Sequence, residues 1–213
     1  ATSKVVARVG GITKANASVF PEKRGDGYCA RLDTRMESVK VLGLVNITVL
    51  AAGSVFTGSV HEPIKGTKNP QKMLQTGIPF TKKPVALQFD YKVKMSDREN
   101  RIRATGFSKI TDVPGKDYPA AILLLQKRWE DANGNVYAKR IGTMVTYYYH
   151  STDWKNNATY EIMYGDITNR PEYKSHMMRL QATESYTVNS KGESVPIHEV
   201  AWGDENDVPT HMC

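Results

Sequence analysis

Aromatic side chains beside polar loops are the residues of this chain best suited to chemistry. A tryptophan or tyrosine ring can support the apolar face of a sugar, and planar polar groups can bond its hydroxyls in a shallow cleft. The candidate binding residues of this kind are Trp154, Tyr149, Arg140 and Trp129. Among the tryptophans, Trp154 is expected to be the most exposed, because polar residues flank it on both sides. For each tryptophan, a buried place in the core is an equally good reading.

Three consecutive tyrosines, Tyr147, Tyr148 and Tyr149, end an apolar run. Successive residues of a strand point to opposite faces of a sheet, so Tyr147 and Tyr149 are expected to share a face while Tyr148 points away. At least one of the three is therefore expected to lie in the core.

Carboxylates offer a second chemistry. Glycosidases use two carboxylates about 5 to 10 Å apart, one protonated and one charged, on either side of the bond they cleave. The candidates for such a pair are Glu130, Asp131, Glu161 and Asp166. A chain with 22 acidic residues offers such pairs by chance, so catalysis is not the favoured reading. A nucleophile elbow, a glycine-rich phosphate loop and His-x-x-x-His spacing are all absent from the sequence.

Loop oxygens could also hold a structural calcium ion, since calcium prefers hard oxygen ligands. Asp204, Asp207 and Asp166 are the candidate ligands, and a solvated acidic loop is the favoured alternative. No other cofactor is predicted, because the five histidines are too dispersed for a zinc site. Arg140 could grip a uronate or pair internally with Glu130 across a hairpin, and the internal pair is favoured.

The elements that must position these residues are predicted to be β-strands. Apolar and polar residues alternate from Leu87 to Met95, which is typical of a half-buried strand. Similar short runs, cut by Gly, Pro and Asn, recur along the chain and predict about eight to ten strands. Because the connections have unequal lengths, an all-β jelly-roll β-sandwich with one short helix is favoured over a propeller.

Local signals place several of these elements. Asn133-Gly134 between two apolar runs predicts a hairpin turn. Asn69-Pro70 before residues 71–75 predicts one short helical turn. The small residues of 51–58 predict that two backbones cross closely. Further strands are expected at about 176–182 and 195–202.

Length and composition predict one domain over residues 1–213, in which 1–24 form a linker or a first strand. The net charge is +7, but Lys and Arg are scattered, so solvated strand faces are favoured over nucleic-acid binding. No apolar stretch approaches the roughly 18 residues of a membrane span. Ala1 opens the chain without a start methionine or a signal peptide, so a mature or trimmed chain is expected. Cys29 and Cys213 are too few for a disulfide framework, and their pairing stays open.

Four sequence blocks together resemble the putative carbohydrate metabolism domain (PCMD) of Bacteroidetes. They are AAGSVFTG at 51–58, the segment 77–94 that opens with GIPF, the segment 129–143 from WED to RIGT, and the segment 154–166 that ends in YGD. The blocks cover about residues 25 to 185. The resemblance implies a galactose-binding-like β-sandwich that is secreted, periplasmic or on the outer-membrane surface and works on or holds glycans. Residues 186–213 depart from the family pattern and form a divergent C-terminal segment.

The function expected from these features is a carbohydrate-binding module for glycan capture or metabolism. Its partners would be a glycan and surface proteins, with no nucleic acid. The alternatives are a structural or adhesive module that binds another protein, and a glycoside hydrolase. An exposed aromatic ring beside polar side chains favours the first class, a flat apolar patch without a cleft the second, and two convergent carboxylates the third.

Overall fold

A computed structural model describes residues 4–9, 12–41, 45–61, 69–105 and 109–213. The described residues are mostly β, with 52% of the chain in strands. In chain order the strands are β1 (Lys4–Val9), β2 (Ile12–Ala17), β3 (Val19–Arg24), β4 (Gly27–Leu32), β5 (Arg35–Val41), β6 (Val45–Ala51), β7 (Gly58–Val60), β8 (Leu74–Thr76), β9 (Ile78–Pro79), β10 (Ala86–Val93), β11 (Ile102–Thr105), β12 (Lys109–Asp112), β13 (Ala120–Glu130), β14 (Val136–Tyr147), β15 (Thr152–Glu161), β16 (Met163–Tyr164), β17 (Tyr186–Val188), β18 (Ser194–Trp202) and β19 (His211–Met212). A 3-10 helix spans Pro70–Met73, and one α-helical turn, α1, spans Ser175–Met178 within the described residues.

The predicted β class is therefore confirmed, while the two-sheet jelly roll stays a prediction. The nineteen strands of the described residues exceed the predicted eight to ten, because many of them are only two to four residues long. The helical turn predicted at 71–75 is confirmed as the 3-10 helix. The strand predicted at 176–182 is wrong, since α1 begins there. Its residues (Met, Arg, Leu, Gln and Ala) favour helix over strand.

The described chain divides into two compact units. The first contains Ala1–Phe56, Val60–Met73 and Glu99–Lys116, and the second contains Thr57–Ser59, Leu74–Arg98 and Asp117–Cys213. The positive charge of the chain is concentrated in the first unit, whereas acidic and basic residues nearly balance in the second. The single domain over residues 1–213 stays a prediction.

Antiparallel two-stranded hairpins make up the first unit. β1 pairs with β2, β3 with β4, β5 with β6, and β11 with β12, so residues 1–24 contribute strands. The close crossing predicted within 51–58 is confirmed at Gly53, where an added Cβ would lie 2.3 Å from the backbone nitrogen of Asp33. Only a residue without a side chain fits this position.

Gly53→Ala is expected to destabilise the first unit, because the added methyl group would overlap backbone atoms of Asp33 and Leu32 that cannot rotate away. Overpacking of this kind costs about 1–3 kcal/mol in the free energy of unfolding. Urea unfolding followed by circular dichroism measures the loss. Gly27→Ala is the matched control, since a Cβ there meets only a carbonyl oxygen at 4.0 Å. Equal losses in the two variants would contradict the close crossing.

The second unit is built around a seven-stranded sheet that curls into a half-barrel. Its strand order is β17-β18-β14-β13-β19-β9, and β16 also pairs with β14. β13 and β14 form the predicted hairpin, and Gly134 in the turn between them has a φ of +89°. β18 runs parallel to β14. The main apolar core consists of Leu123, Leu125, Ile141, Met144 and Ile162.

A bulge divides the β13–β14 hairpin. Leu125 lies opposite Gly142, but the next residue, Gln126, lies opposite Arg140, so Ile141 is an extra residue in β14. Because Leu125 and Gln126 point to opposite faces of the sheet, the bulge places Arg140 and Gln126 on one face and the Leu125 side chain on the other. A buried polar cluster can therefore lie next to the apolar core without interrupting it.

Candidate functional site

A groove of about 420 Å³ lies in the second unit at the end of β14. One side is formed by Tyr147 and Tyr149, and the other by α1 and the loop before it. This tyrosine groove contains Tyr149, one of the four binding residues proposed from the sequence.

Two tyrosine rings form the aromatic side of the tyrosine groove. The ring centroids of Tyr147 and Tyr149 are 6.4 Å apart, and the ring planes are inclined by 22°. Tyr118 packs edge-on against Tyr149 at 4.8 Å, yet 46% of Tyr149 remains exposed. Tyr148 contacts Tyr91 instead, at 4.6 Å, so the predicted alternation of the three tyrosines is confirmed. The Tyr149 ring is thus held in place by neighbouring tyrosines and is still accessible to a ligand.

Polar and flexible side chains form the rest of the lining. Glu172 and Lys174 are exposed on the loop before α1, and Thr146 and Met177 also line the groove. The carboxylate accepts hydrogen bonds, the ammonium group donates them, and the threonine hydroxyl does both. A ligand with many hydroxyl groups and an apolar face matches this combination.

The helical wall of the tyrosine groove is held by Arg140. A single turn such as α1 is not stable by itself, because helix nucleation is unfavourable. Arg140 donates from Nη1 to the carbonyl of Met178 at 2.7 Å and from Nη2 to the carbonyl of Arg179 at 3.2 Å. These carbonyls are at the C-terminal end of α1, where a cation is favourable. Arg140 therefore fixes where α1 ends.

Glu199 of β18 in turn holds Arg140. Its Oε1 accepts from Nε of Arg140 at 2.8 Å and from Nε2 of Gln126 at 2.7 Å. Its Oε2 accepts from Nη2 of Arg140 and, at 2.8 Å, from the backbone N–H of Gln181. Arg140 is 1% exposed, and Glu199 is also buried. The Arg140–Glu199 pair thus anchors both α1 and the residues that follow it.

The internal pairing predicted for Arg140 is correct, but the predicted partner, Glu130, is wrong. Glu130 lies opposite Val136, four residues from Arg140, and accepts hydrogen bonds from Ser190. The guanidinium of Arg140 is occupied by four acceptor contacts within the protein. Arg140 consequently supports the tyrosine groove and does not line it.

The buried polar cluster continues to Arg128. Arg128 donates from Nε to Gln126 Oε1 at 2.9 Å and from Nη1 to the carbonyl of Thr76 at 2.9 Å, and its Nη2 lies 2.8 Å from Sγ of Cys213. Burial lowers the pKa of the Arg128 guanidinium. Burial also raises the pKa of the Cys213 thiol, against the opposing charge of Arg128. Cys213 and Cys29 are both free thiols.

Acidification is expected to weaken the second unit through Glu199. Burial pushes the pKa of Glu199 upward, but the hydrogen bond and charge of Arg140, with Gln126 and the Gln181 N–H, outweigh it and leave the pKa below its usual value. A carboxyl with a lowered pKa in the folded state adds stability above its unfolded pKa, and this stability disappears as the pH falls through the folded pKa. The free energy of unfolding should therefore decline below about pH 4.3, the usual glutamate pKa.

Urea unfolding at a series of pH values measures this decline. The matched control is the double variant Arg140→Met/Glu199→Leu, which lacks the titrating group and its partner. Its unfolding free energy should fall less steeply with acid than that of the wild type. Parallel pH profiles would contradict the assignment to Glu199.

The tryptophans are placed differently from the expectation. Trp129 is the exposed one, at 43%, whereas Trp154 and Trp202 are half-buried. The prediction that Trp154 is the most exposed is wrong, because its polar neighbours lie within β15, which pairs with β10, and do not form a loop. Trp154 and Trp129 do not line the tyrosine groove.

Three of the four carboxylates proposed for catalysis accept hydrogen bonds from nearby turns and loops. Asp131 accepts from Asn135 and Asn133 in the hairpin turn, and these bonds lower its pKa. Asp166 accepts from Thr168, which lowers its pKa in the same way. Glycosidase acids need a raised pKa, so neither residue suits that role. Glu161 is exposed at the end of β15, and Glu130 bonds Ser190 as described above.

The acidic residues proposed as calcium ligands also have partners. Oδ1 of Asp204 accepts from the N–H of Asn206, and Asp207 accepts from Nζ of Lys127 at 2.8 Å and from the N–H of Asp204. In the described ranges no three His, Cys, Asp or Glu side chains come together in a way that could hold a metal ion. Structural calcium stays a prediction.

Sequence reasoning missed Glu172, Lys174 and Glu199. The first two lie in the polar stretch just before the strand predicted at 176–182, for which the sequence offered no candidate binding residue. Glu199 could have been found from the sequence, because it lies on the same face of β18 as the apolar residues Val195 and Ile197. An acid at an apolar position of a strand needs a buried cation as its partner, and Arg140 is a cation in the middle of the apolar run of β14.

The fold and the site together define a β-rich domain with a shallow aromatic and polar groove. The chain belongs to the family described as "Putative carbohydrate metabolism domain" (PCMD), whose model matches residues 8–193. The resemblance inferred from the sequence is thereby confirmed, and the match is wider than the predicted 25–185. Searches of curated proteins and of solved structures found no significant match. Across the part of the chain that the structure describes, no helix has the length and apolar character of a membrane span.

Proposed function

We propose that this chain is a carbohydrate-binding module that holds a glycan in the tyrosine groove. The observation that carries the proposal is the braced, half-exposed ring of Tyr149, stacked on Tyr147 and facing Glu172 and Lys174 across the groove. Aromatic rings bind the apolar face of a sugar, and nearby polar groups fix its orientation. The family's description, carbohydrate metabolism, supports the same ligand class.

A neutral glycan suits the tyrosine groove best. Glu172 and Lys174 bring one negative and one positive charge to its rim, so the lining has no excess charge. Both side chains are exposed and can reorient around a ligand. The hydroxyl groups of an uncharged sugar can donate to the Glu172 carboxylate and accept from the Lys174 ammonium group, and the sugar brings no like charge to either residue.

The two alternative functions are less well supported. A glycoside hydrolase needs two convergent carboxylates, one of them with a raised pKa, while Asp131 and Asp166 have lowered pKa values and hold turns. A protein-binding structural module is favoured by a flat apolar patch without a cleft, and the tyrosine groove is a cleft with charged side chains on its rim.

We extend the proposal to the setting in which the module works. A glycan-binding module of this family would be secreted, periplasmic or on the outer-membrane surface, where polymeric glycans are met. The proposed overall architecture is a galactose-binding-like jelly roll, which the many antiparallel pairs of the second unit support. Fractionation of the native cells tests the location, and a crystal structure tests the architecture.

Tyr149→Ala is expected to reduce glycan binding about tenfold, since an aromatic stacking contact is worth roughly 0.5–1.5 kcal/mol beyond its buried area. The measurement is binding to a broad glycan array, followed by calorimetry on the best ligand. Tyr28→Ala is the matched control, because Tyr28 is 78% exposed, belongs to the first unit and is not one of the residues that line the groove. Trp154→Ala tests the tryptophan that the sequence analysis favoured as the exposed binding residue.

Three outcomes separate the readings. Binding that is lost in Tyr149→Ala and kept in Tyr28→Ala supports the tyrosine groove. Binding lost only in Trp154→Ala would move the site to β15. Folded protein that binds no neutral or acidic glycan on the array would overturn the proposed function in favour of a protein-binding module.

A further inference from the structure

A second set of aromatic side chains crosses three neighbouring strands of the main sheet. The ring centroids of Trp129 on β13 and Tyr137 on β14 are 5.8 Å apart, and their planes are inclined by only 22°. The ring of His198 on β18 lies 5.7 Å from that of Tyr137. Trp129, Tyr137 and His198 therefore form a continuous row, called the ring row below.

The ring row and the tyrosine groove lie on opposite faces of the sheet. Trp129 lies opposite Tyr137, and Gln126 lies opposite Arg140, on alternate sides of the strands. Likewise His198 and Glu199 point in opposite directions along β18. Since Arg140 contacts the α1 wall of the groove, the ring row faces away from that wall.

Exposure distinguishes the ring row from core packing. Trp129 stacks on Tyr137 and is still 43% exposed, the highest exposure among the three tryptophans. A large indole held in a fixed orientation at the surface is costly in water and well suited to stacking on a ligand.

Charged groups flank the ring row along both strands. Lys127 and Lys139 lie opposite each other, two residues from Trp129 and Tyr137, and point to the same face. Both lower the pKa of Asp207, Lys127 through a hydrogen bond and Lys139 through its charge, so two ammonium groups share one carboxylate. On the other side of the row, towards the hairpin turn, the Tyr137 hydroxyl donates to Oδ2 of Asp131 at 3.4 Å. Two ammonium groups that share one carboxylate therefore lie along one side of the row.

We propose that the ring row is a second glycan-binding surface, suited to a polysaccharide that carries carboxylate or sulfate groups. Trp129 would stack on a sugar ring, and Lys127 and Lys139 would bind the anionic group. An open row on a sheet face accommodates a continuing chain. The inference shares its ligand class with the proposed function, but it concerns another face and another charge.

The test is calorimetric titration of the full chain with polygalacturonate, alginate and chondroitin sulfate. Methyl-esterified polygalacturonate is the matched ligand control, since it keeps the sugar and loses the charge. Trp129→Ala should weaken binding of the acidic polymers about tenfold, as expected for one lost aromatic contact. Lys127→Gln/Lys139→Gln should weaken it as well and reduce its sensitivity to salt.

The Trp129→Ala variant also controls for the basic first unit, which could attract polyanions without specificity. That attraction depends on net charge, which Trp129→Ala leaves unchanged. Unaltered binding of acidic polymers in Trp129→Ala, equal affinity for the esterified polymer, or no binding of any acidic polymer by folded protein would each overturn the inference. Tyr149→Ala should leave this binding intact, so failure of the tyrosine groove and failure of the ring row are separately visible.

Discussion

Arg140→Met is expected to destabilise the second unit by about 3–5 kcal/mol, the usual cost of breaking a buried ion pair. The loss arises because the carboxylate of Glu199 stays buried without its cation, and because the carbonyls of Met178 and Arg179 lose their donor. Urea or thermal unfolding measures the change. Lys139→Met is the matched control, since it removes a neighbouring cation that is exposed.

A double-mutant cycle separates stability from positioning. Arg140→Met/Glu199→Leu should recover much of the lost stability, because replacing both partners of a buried pair by apolar residues is often neutral or stabilising. Glycan binding in the tyrosine groove should remain weak in the double variant, since α1 still lacks the donors that fix its end. If the double variant regains full affinity, the pair matters only for stability and does not position the groove.

Leu125→Ala is expected to cost about 2–5 kcal/mol, the range for removing a large side chain from a packed core. Leu125 is completely buried and packs with Leu123, Ile141, Met144 and Ile162. Thermal unfolding by calorimetry is the direct measurement.

Ile122→Ala on the same strand is the control for Leu125→Ala. Its side chain is 41% exposed, so its loss should be smaller by at least 1 kcal/mol, about the worth of one buried methylene. Similar losses at the two positions would show that the core does not lie on the Leu125 face.

The sequence was a good guide wherever a short-range rule decides the structure. The hairpin around Gly134 and the alternation of the three tyrosines follow from local turn and strand geometry, and both predictions are confirmed. The 3-10 turn after Asn69 followed from local signals in the same way.

Features that depend on long-range pairing were not predictable. The bulge at Ile141 shifts the register so that Arg140 meets Gln126 and, beyond it, Glu199, which is 59 residues away in the chain. Their positions in apolar strands mark Arg140 and Glu199 as candidates for burial, but no local signal shows that the two residues meet at that distance. Trp154 was misjudged for a related reason, since the pairing of β15 with β10 decides its burial.

The parallel pairing of β18 with β14 also has a consequence for how the protein matures. During synthesis the tyrosines, α1 and the whole family-matched region emerge before β18, which begins at Ser194. Contacts between distant parts of a chain form slowly, because the intervening segment must be closed into a loop first. Until Glu199 emerges and reaches Arg140, no carboxylate holds the Arg140 guanidinium in place against the carbonyls of Met178 and Arg179. The ability to bind in the tyrosine groove should therefore appear only after β18 has emerged, and a chain released at residue 193 should lack it.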